Sequence, residues 1–165
     1  VYSVDDNFTT KFMSLLKFMP FFPLYYDGKT KFTPIHVTDF AEIIFQIIKK
    51  QIKNQYIDCI GPEVLSMKEI IQILMNSINK NRLLIPMPNS FAKFTATLLE
   101  NLTSKPLLTK DQLVLLKYDN VSSGKFKTNF DLNINAKLKF EEQVAKYSYM
   151  WKDKGQFANE NNKEL

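Results

Sequence analysis

Apolar and polar residues follow one another along this chain in two rhythms, one near 3.6 residues and one of two, which divide it into helices and strands. In "DDNFTTKFMSLLKFMP", Phe8, Phe12, Leu15, Leu16 and Met19 share a helical face, and Asp6 or Asn7 can cap the free N–H groups of the first turn. Pro20 and Pro23 end this helix, because neither can donate the next backbone bond. "LYYDGKTKF" predicts a hairpin, with Asp27-Gly28 at a turn that needs positive φ. "FTPIHV" is a short extended segment, since Pro34 keeps Thr33 out of helical geometry.

The pattern then repeats. Asp39, followed by Glu42 at capping-box spacing, is expected to start a helix whose buried stripe is Ile43, Ile44, Ile47 and Ile48, with Lys49 and Lys50 at its end. "NQYIDCI" reads as a strand closed by Gly61-Pro62, and Ser66 to Glu69 forms a capping box for the helix "MKEIIQILMNSIN". "RLLIPMP" is a strand that stops at its prolines. "NSFAKFTATLLENL" places Phe91, Phe94, Thr95, Leu98, Leu99 and Leu102 at helical spacing. A short helix capped by Thr109 and a last one within "DLNINAKLKFEEQVAKYSYMW" follow. The strand–helix alternation predicts an α/β unit over residues 1–151, and residues 152–165 have so little to bury that a disordered tail is expected.

Composition narrows the function. At 165 residues and 45% hydrophobic, the chain can enclose a core. Its single cysteine, Cys59, rules out an internal disulfide framework and any multi-cysteine metal site, and its apolar setting suits a small hydrophobe. A net charge of +5 is spread over lysines, with Arg82 the only arginine. Nucleic-acid recognition normally uses a clustered basic face with arginine, so no nucleic-acid partner is expected. A solvated lysine coat or contact with an anionic membrane surface fits the charge better. The longest apolar run, "FMSLLKFMPFFPLYY", is interrupted by Lys17, Pro20 and Pro23, so no transmembrane helix is predicted. The chain begins with Val1 and shows no signal-peptide pattern, and it is expected to be a fragment.

Motifs that carry chemistry are mostly missing. The four glycines lie far apart and form no dinucleotide fingerprint, and there is no P-loop, nucleophile elbow or His-Glu-x-x-His helix. Tyr25 and Lys29 have Tyr-x-x-x-Lys spacing, but Asp27-Gly28 between them predicts a turn, whereas the chemistry of that pair requires a helix. His36, the only histidine, lies in an extended segment with Ile35 and Val37 facing the other way. It can edge a pocket, hydrogen-bond within the core or sit half exposed, and Asp39 is the nearest carboxylate able to approach it.

"KFTPIHVTDFAEII" followed by "YIDCIGPEVLSMKEIIQIL" resembles the C-terminal half of extended short-chain dehydrogenase/reductases, the NAD-dependent epimerase/dehydratase superfamily. The matching features are Val37-Thr38-Asp39 opening one helix, and Gly61-Pro62-Glu63 with Leu65-Ser66 opening the next. "DDNF", "LLIPMP" and "PLLTKDQLVLLKYDNV" are similar to the branch holding the NAD(P)H-binding accessory subunit of respiratory complex I and its alphaproteobacterial relatives. The resemblance implies the C-terminal portion of a Rossmann-like fold whose dinucleotide-binding half precedes Val1 and would be this chain's main partner. It implies NAD or NADP bound by the longer parent and no cofactor held by these residues alone. Tyr2, Ser3 and Val4 would then lie on the nicotinamide side, although the family often has Gly-Pro where Ser3-Val4 stand. Asn7, Phe8, Lys31, Thr33 and His36 would line a substrate pocket. Nucleotide sugars are disfavoured, because Lys31-Phe32 stand where a pyrophosphate-clamping arginine would be expected.

Two roles follow from the resemblance. One is structural, an accessory subunit docked on respiratory complex I or a membrane surface, located in the cytoplasm at the inner membrane or on the mitochondrial matrix side. The Phe-rich first helix and the Ser90–Leu102 helix are its candidate docking faces. The other is an NAD(P)-dependent epimerase, dehydratase or reductase acting on a small or lipid-like substrate. In either case the fragment alone is not expected to be catalytic, and it is expected to expose apolar surface.

Overall fold

Caps and prolines set most of the element boundaries. A computed structural model describes residues 1–87 and 114–155. In chain order these residues form α1 (Thr9–Phe18), β1 (Phe21–Tyr25), β2 (Lys31–Phe32), α2 (Val37–Lys49), β3 (Ile57–Asp58), β4 (Leu65–Ser66), α3 (Met67–Ser77), β5 (Leu83–Met87), β6 (Lys127–Thr128) and α4 (Phe140–Tyr147). The class is mixed α/β. The expected helix over 90–102, the start of the Thr109-capped helix and the tail beyond 155 lie outside the described residues. Of that tail, Lys152–Gly155 forms turns, and Asp153 pairs with Lys80 at 2.6 Å.

The predicted hairpin is corrected. β1 runs parallel to β5, from Phe21 opposite Leu83 to Tyr25 opposite Met87, and β2 pairs antiparallel with β4. The turn itself forms where expected: Tyr26, Asp27 and Gly28 have φ of 52°, 57° and 66°. Three left-handed residues in succession carry the chain away from β1 instead of folding it back alongside. Gly28 is pressed against α3, where a Cβ would come within 2.9 Å of Lys68 Cβ. Pro23 and Pro86 are tolerated because each strand has a single described neighbour, leaving one edge where an N–H is not needed. β3 and β6 are also parallel, and Tyr2 bridges His36 in parallel, with Tyr2 N–H donating to Ile35 O at 2.9 Å.

The helices confirm the periodicity unevenly. Asp6 caps α1 by accepting the Phe8 and Thr9 N–H groups at 2.6 Å each. At its other end, Arg82 donates from Nε to Leu16 O at 2.7 Å and from Nη2 to Lys17 O at 2.8 Å. The chain's one guanidinium therefore closes a helix C-terminus. α3 opens with the predicted capping box: Glu69 N–H donates to Ser66 Oγ at 3.2 Å, and Ser66 N–H to Glu69 Oε2 at 2.7 Å. Met67, Ile70, Ile71, Leu74 and Met75 of α3 pack with Met13, Leu16, Phe22, Leu24, Phe140 and Val144 in the main core. α2 departs from expectation. It begins at Val37 with His36 as its cap, and only Ile43 of its predicted stripe is fully buried, while Ile44 and Ile48 are 43% and 70% exposed. Ile43 belongs to a smaller cluster with Ile35, Ile134 and Ala136.

Candidate functional site

The entry to α1, strand β2 and the segment around Asn120 enclose two adjoining clefts, of about 410 Å³ and about 810 Å³. Phe8, Phe32 and Asn120 line both. The Phe8 and Phe32 rings form the partition, with centroids 6.2 Å apart. Asn120 is fixed through its backbone, its N–H donating to Lys31 O at 2.7 Å and its carbonyl accepting from Thr33 N–H at 3.3 Å. The smaller cleft is walled by α1 and by Leu115 and Leu116, with Asn7 and Lys11 contributing polar groups. The larger cleft runs from Tyr2 and Thr33 past Cys59 to Ser122 and Phe126.

Of the five residues expected to line a substrate pocket, three line these clefts: Asn7 and Phe8 the smaller, and Phe8 and Thr33 the larger. Lys31 lines neither. Phe32 turns inward in β2, so its neighbour must point out, and Lys31 is exposed, its N–H donating to Asp119 Oδ1 at 2.8 Å. His36 lines neither cleft as well. Its Nδ1 accepts the Thr38 N–H at 3.3 Å as the cap of α2, and its ring meets Tyr2 edge-on, with centroids 5.2 Å apart. Burial lowers the pKa of His36, against the opposing pull of the Asp39 carboxylate. Capping needs an unprotonated Nδ1, so the neutral form is the one that fits this geometry.

The three residues expected near a nicotinamide separate. Tyr2 is buried and lines the larger cleft, while Ser3 and Val4 line neither cleft. The Ser3 N–H donates to Asp6 Oδ2 at 3.0 Å and its carbonyl accepts from Asp6 N–H, so its backbone is spent on the entry to α1. The Tyr2 hydroxyl is driven strongly upward in pKa by burial, and by Tyr147, Glu63, Asp39 and Glu142 in turn, and it stays protonated. The Tyr25–Lys29 pair straddles the left-handed turn and shares no helical face. Cys59 is half-buried beside the larger cleft, with its thiol pKa raised by burial and by Asp58, which keeps it from being a ready thiolate.

The carboxylates of the two helix-opening motifs do work that local sequence does not announce. Asp39 Oδ2 accepts the N–H groups of Lys137 and Leu138, both at 2.8 Å, instead of capping its own helix. Glu63 Oε2 accepts the Phe140 N–H at 3.0 Å, at the first turn of α4. Both therefore clamp the approach to one distant helix, where negative charge also suits the exposed N–H groups. Asn129, fully buried, is the other hub missed in the sequence: its side chain accepts from Ile60 N–H at 2.8 Å and donates to Ile134 O at 3.0 Å. Gly61 is a glycine because a Cβ there would fall 1.8 Å from Pro34 O.

Among the described residues no cluster of His, Cys, Asp and Glu could hold a metal ion, and no helix is long and apolar enough to cross a membrane. No described helix N-terminus carries the closely spaced glycines that a dinucleotide pyrophosphate requires. The chain shows no significant match to any family model or to any curated protein.

Proposed function

We propose that this chain is the C-terminal, substrate-side part of an atypical short-chain dehydrogenase/reductase with a structural role, of the kind that accompanies respiratory complex I. The observation that carries this reading is the convergence of Asp39 and Glu63, from the two motifs that bear the resemblance, on residues 137–140. Both carboxylates accept backbone N–H groups there and so build a frame. In this reading NAD or NADP is held by a glycine-rich turn outside these residues, and the parent lies peripherally on a respiratory membrane assembly. The test is purification of the full-length protein followed by fluorescence of the bound nucleotide and native gel analysis of membranes. Retained NAD(P)H and co-migration with the complex are expected. A full-length protein that retains no nucleotide and runs as a free monomer overturns the proposal.

A second reading is favoured by one observation, the largely apolar wall of the smaller cleft. It makes the parent an NAD(P)-dependent enzyme acting on a lipid-like substrate held against Asn7 and Phe8. An intact helical Tyr-x-x-x-Lys in the upstream sequence would favour it, and the loss of that pair would favour the structural role.

A further inference from the structure

We propose that the smaller cleft binds a long-chain carboxylate, with the carboxylate at Lys11 and the acyl chain running inward across Phe8 and Phe32 toward the larger cleft. Its volume of about 410 Å³ lies in the range of small-molecule sites, which are typically apolar with a few polar groups that fix orientation. Phe8, Phe12, Leu15, Phe32, Met67 and Leu116 supply the apolar wall. These side chains come from α1, β2, the start of α3 and the segment near Leu116, so the wall is assembled by tertiary structure and not by one helix face.

The polar groups point to the sign of the head group. Lys11 is the only cation among the described lining residues, it is exposed, and neither ion pair among the described residues involves it. Asp119, the one acid among the described lining residues, accepts the Lys31 N–H through Oδ1. The Asn7 amide adds a neutral donor at the same end of α1. The exposed ammonium of Lys11 beside an apolar wall favours an anion carried on a hydrocarbon. Beyond the Phe8–Phe32 partition, the larger cleft of about 810 Å³ gives the chain room to extend.

The inference names a ligand class for the cleft of the second functional reading, but it stands on the cleft itself. Loss of nucleotide binding would leave it untouched, and failure of acyl binding would leave the accessory-subunit proposal untouched. The experiment is a fluorescence titration of the full-length protein with cis-parinarate, a conjugated fatty carboxylate, with oleate and oleyl alcohol as competitors. Saturable one-to-one binding is expected, with oleate displacing the probe and the uncharged alcohol displacing it roughly tenfold less well, as loss of one charge-assisted contact implies. Lys11→Glu should weaken parinarate by at least about tenfold on the same scale, and Lys11→Arg should retain it. The exposed first turns of a helix tolerate Glu, so circular dichroism should be unchanged in Lys11→Glu. Leu15→Trp, which fills the cleft, should abolish binding, with Lys11→Glu as the control should that variant not fold. Absence of saturable binding, equal competition by the alcohol, or binding unaffected by Lys11→Glu each overturns the proposal.

Discussion

Helices α2 and α3 look alike in sequence and live in different surroundings. Both are amphipathic and both carry an acid in the first turn, yet α3 buries five residues and α2 buries only Ile43. α3 is covered by α1 and α4, with β1 also contributing to the shared core, whereas α2 touches the small Ile35–Ile134–Ala136 cluster along one side. On the other side Ile44, Phe45 and Ile48 remain in solvent. Periodicity says that a helix has an apolar face, and the neighbours decide whether that face contributes to stability.

The largest effect expected from this contrast is in the cores. Leu74→Ala, at a fully buried site in α3, should cost about 2–5 kcal/mol in urea unfolding, whereas Ile48→Ala should stay within about 0.5 kcal/mol. Equal costs would erase the distinction between the two helices. The main core should also be sensitive to base. Tyr147, buried against Thr9 with hydroxyls 2.9 Å apart, has its pKa raised by burial from 10.0 to about 12. A phenol with a raised folded pKa stabilises fully below the unfolded value, and that contribution is lost as pH rises from about 10 to about 12. Stability measured across that interval should fall less in Tyr147→Phe, with Tyr2 accounting for part of the remainder.

Asp39→Ala tests the clamp between the two regions. Removing an acceptor for two backbone N–H groups should cost roughly 1–3 kcal/mol. Hydrogen exchange should quicken at Lys137 and Leu138 while α3 keeps its protection; uniform exchange would mean that Asp39 does not act locally. Ser66→Ala removes the capping box of α3 and should cost about 1 kcal/mol, read as a shift in denaturation midpoint. The smallest effect is at His36, where burial lowers the folded pKa below the ordinary value for an imidazole. Its contribution is therefore present above the unfolded pKa and is lost as pH falls toward the folded one. Acidification should move the Thr38 amide resonance before those of α3, and simultaneous movement would remove His36 as the reason.

The features legible in the sequence are those written within a few residues. The capping box of α3, the positive-φ turn at Asp27-Gly28 and the strand "LLIPM" all formed, because each depends on its own neighbours. The pairing of β1 with β5 joins residues about sixty apart, and no turn residue encodes it. Asp39 sits at cap spacing yet is recruited by amides 98 and 99 residues away, while His36 takes the local cap. The site was partly legible for the same reason. Asn7, Phe8 and Thr33 reach the clefts, but the alternation that turns Phe32 inward sends Lys31 out, and the early start of α2 ends the alternation expected at Val37.

The anchoring of α1 has a consequence for the order of assembly. Its C-terminal carbonyls are met by Arg82, its buried Thr9 by Tyr147, and its Ser14 hydroxyl by the Trp151 indole N–H at 2.8 Å. These partners follow it by 65 to 138 residues. During synthesis this helix emerges before the others described here, and it acquires its last contacts only after residue 151 has been made. Until then its apolar face is available to any surface nearby, including the ribosome and chaperones, and non-local contacts of this kind slow folding.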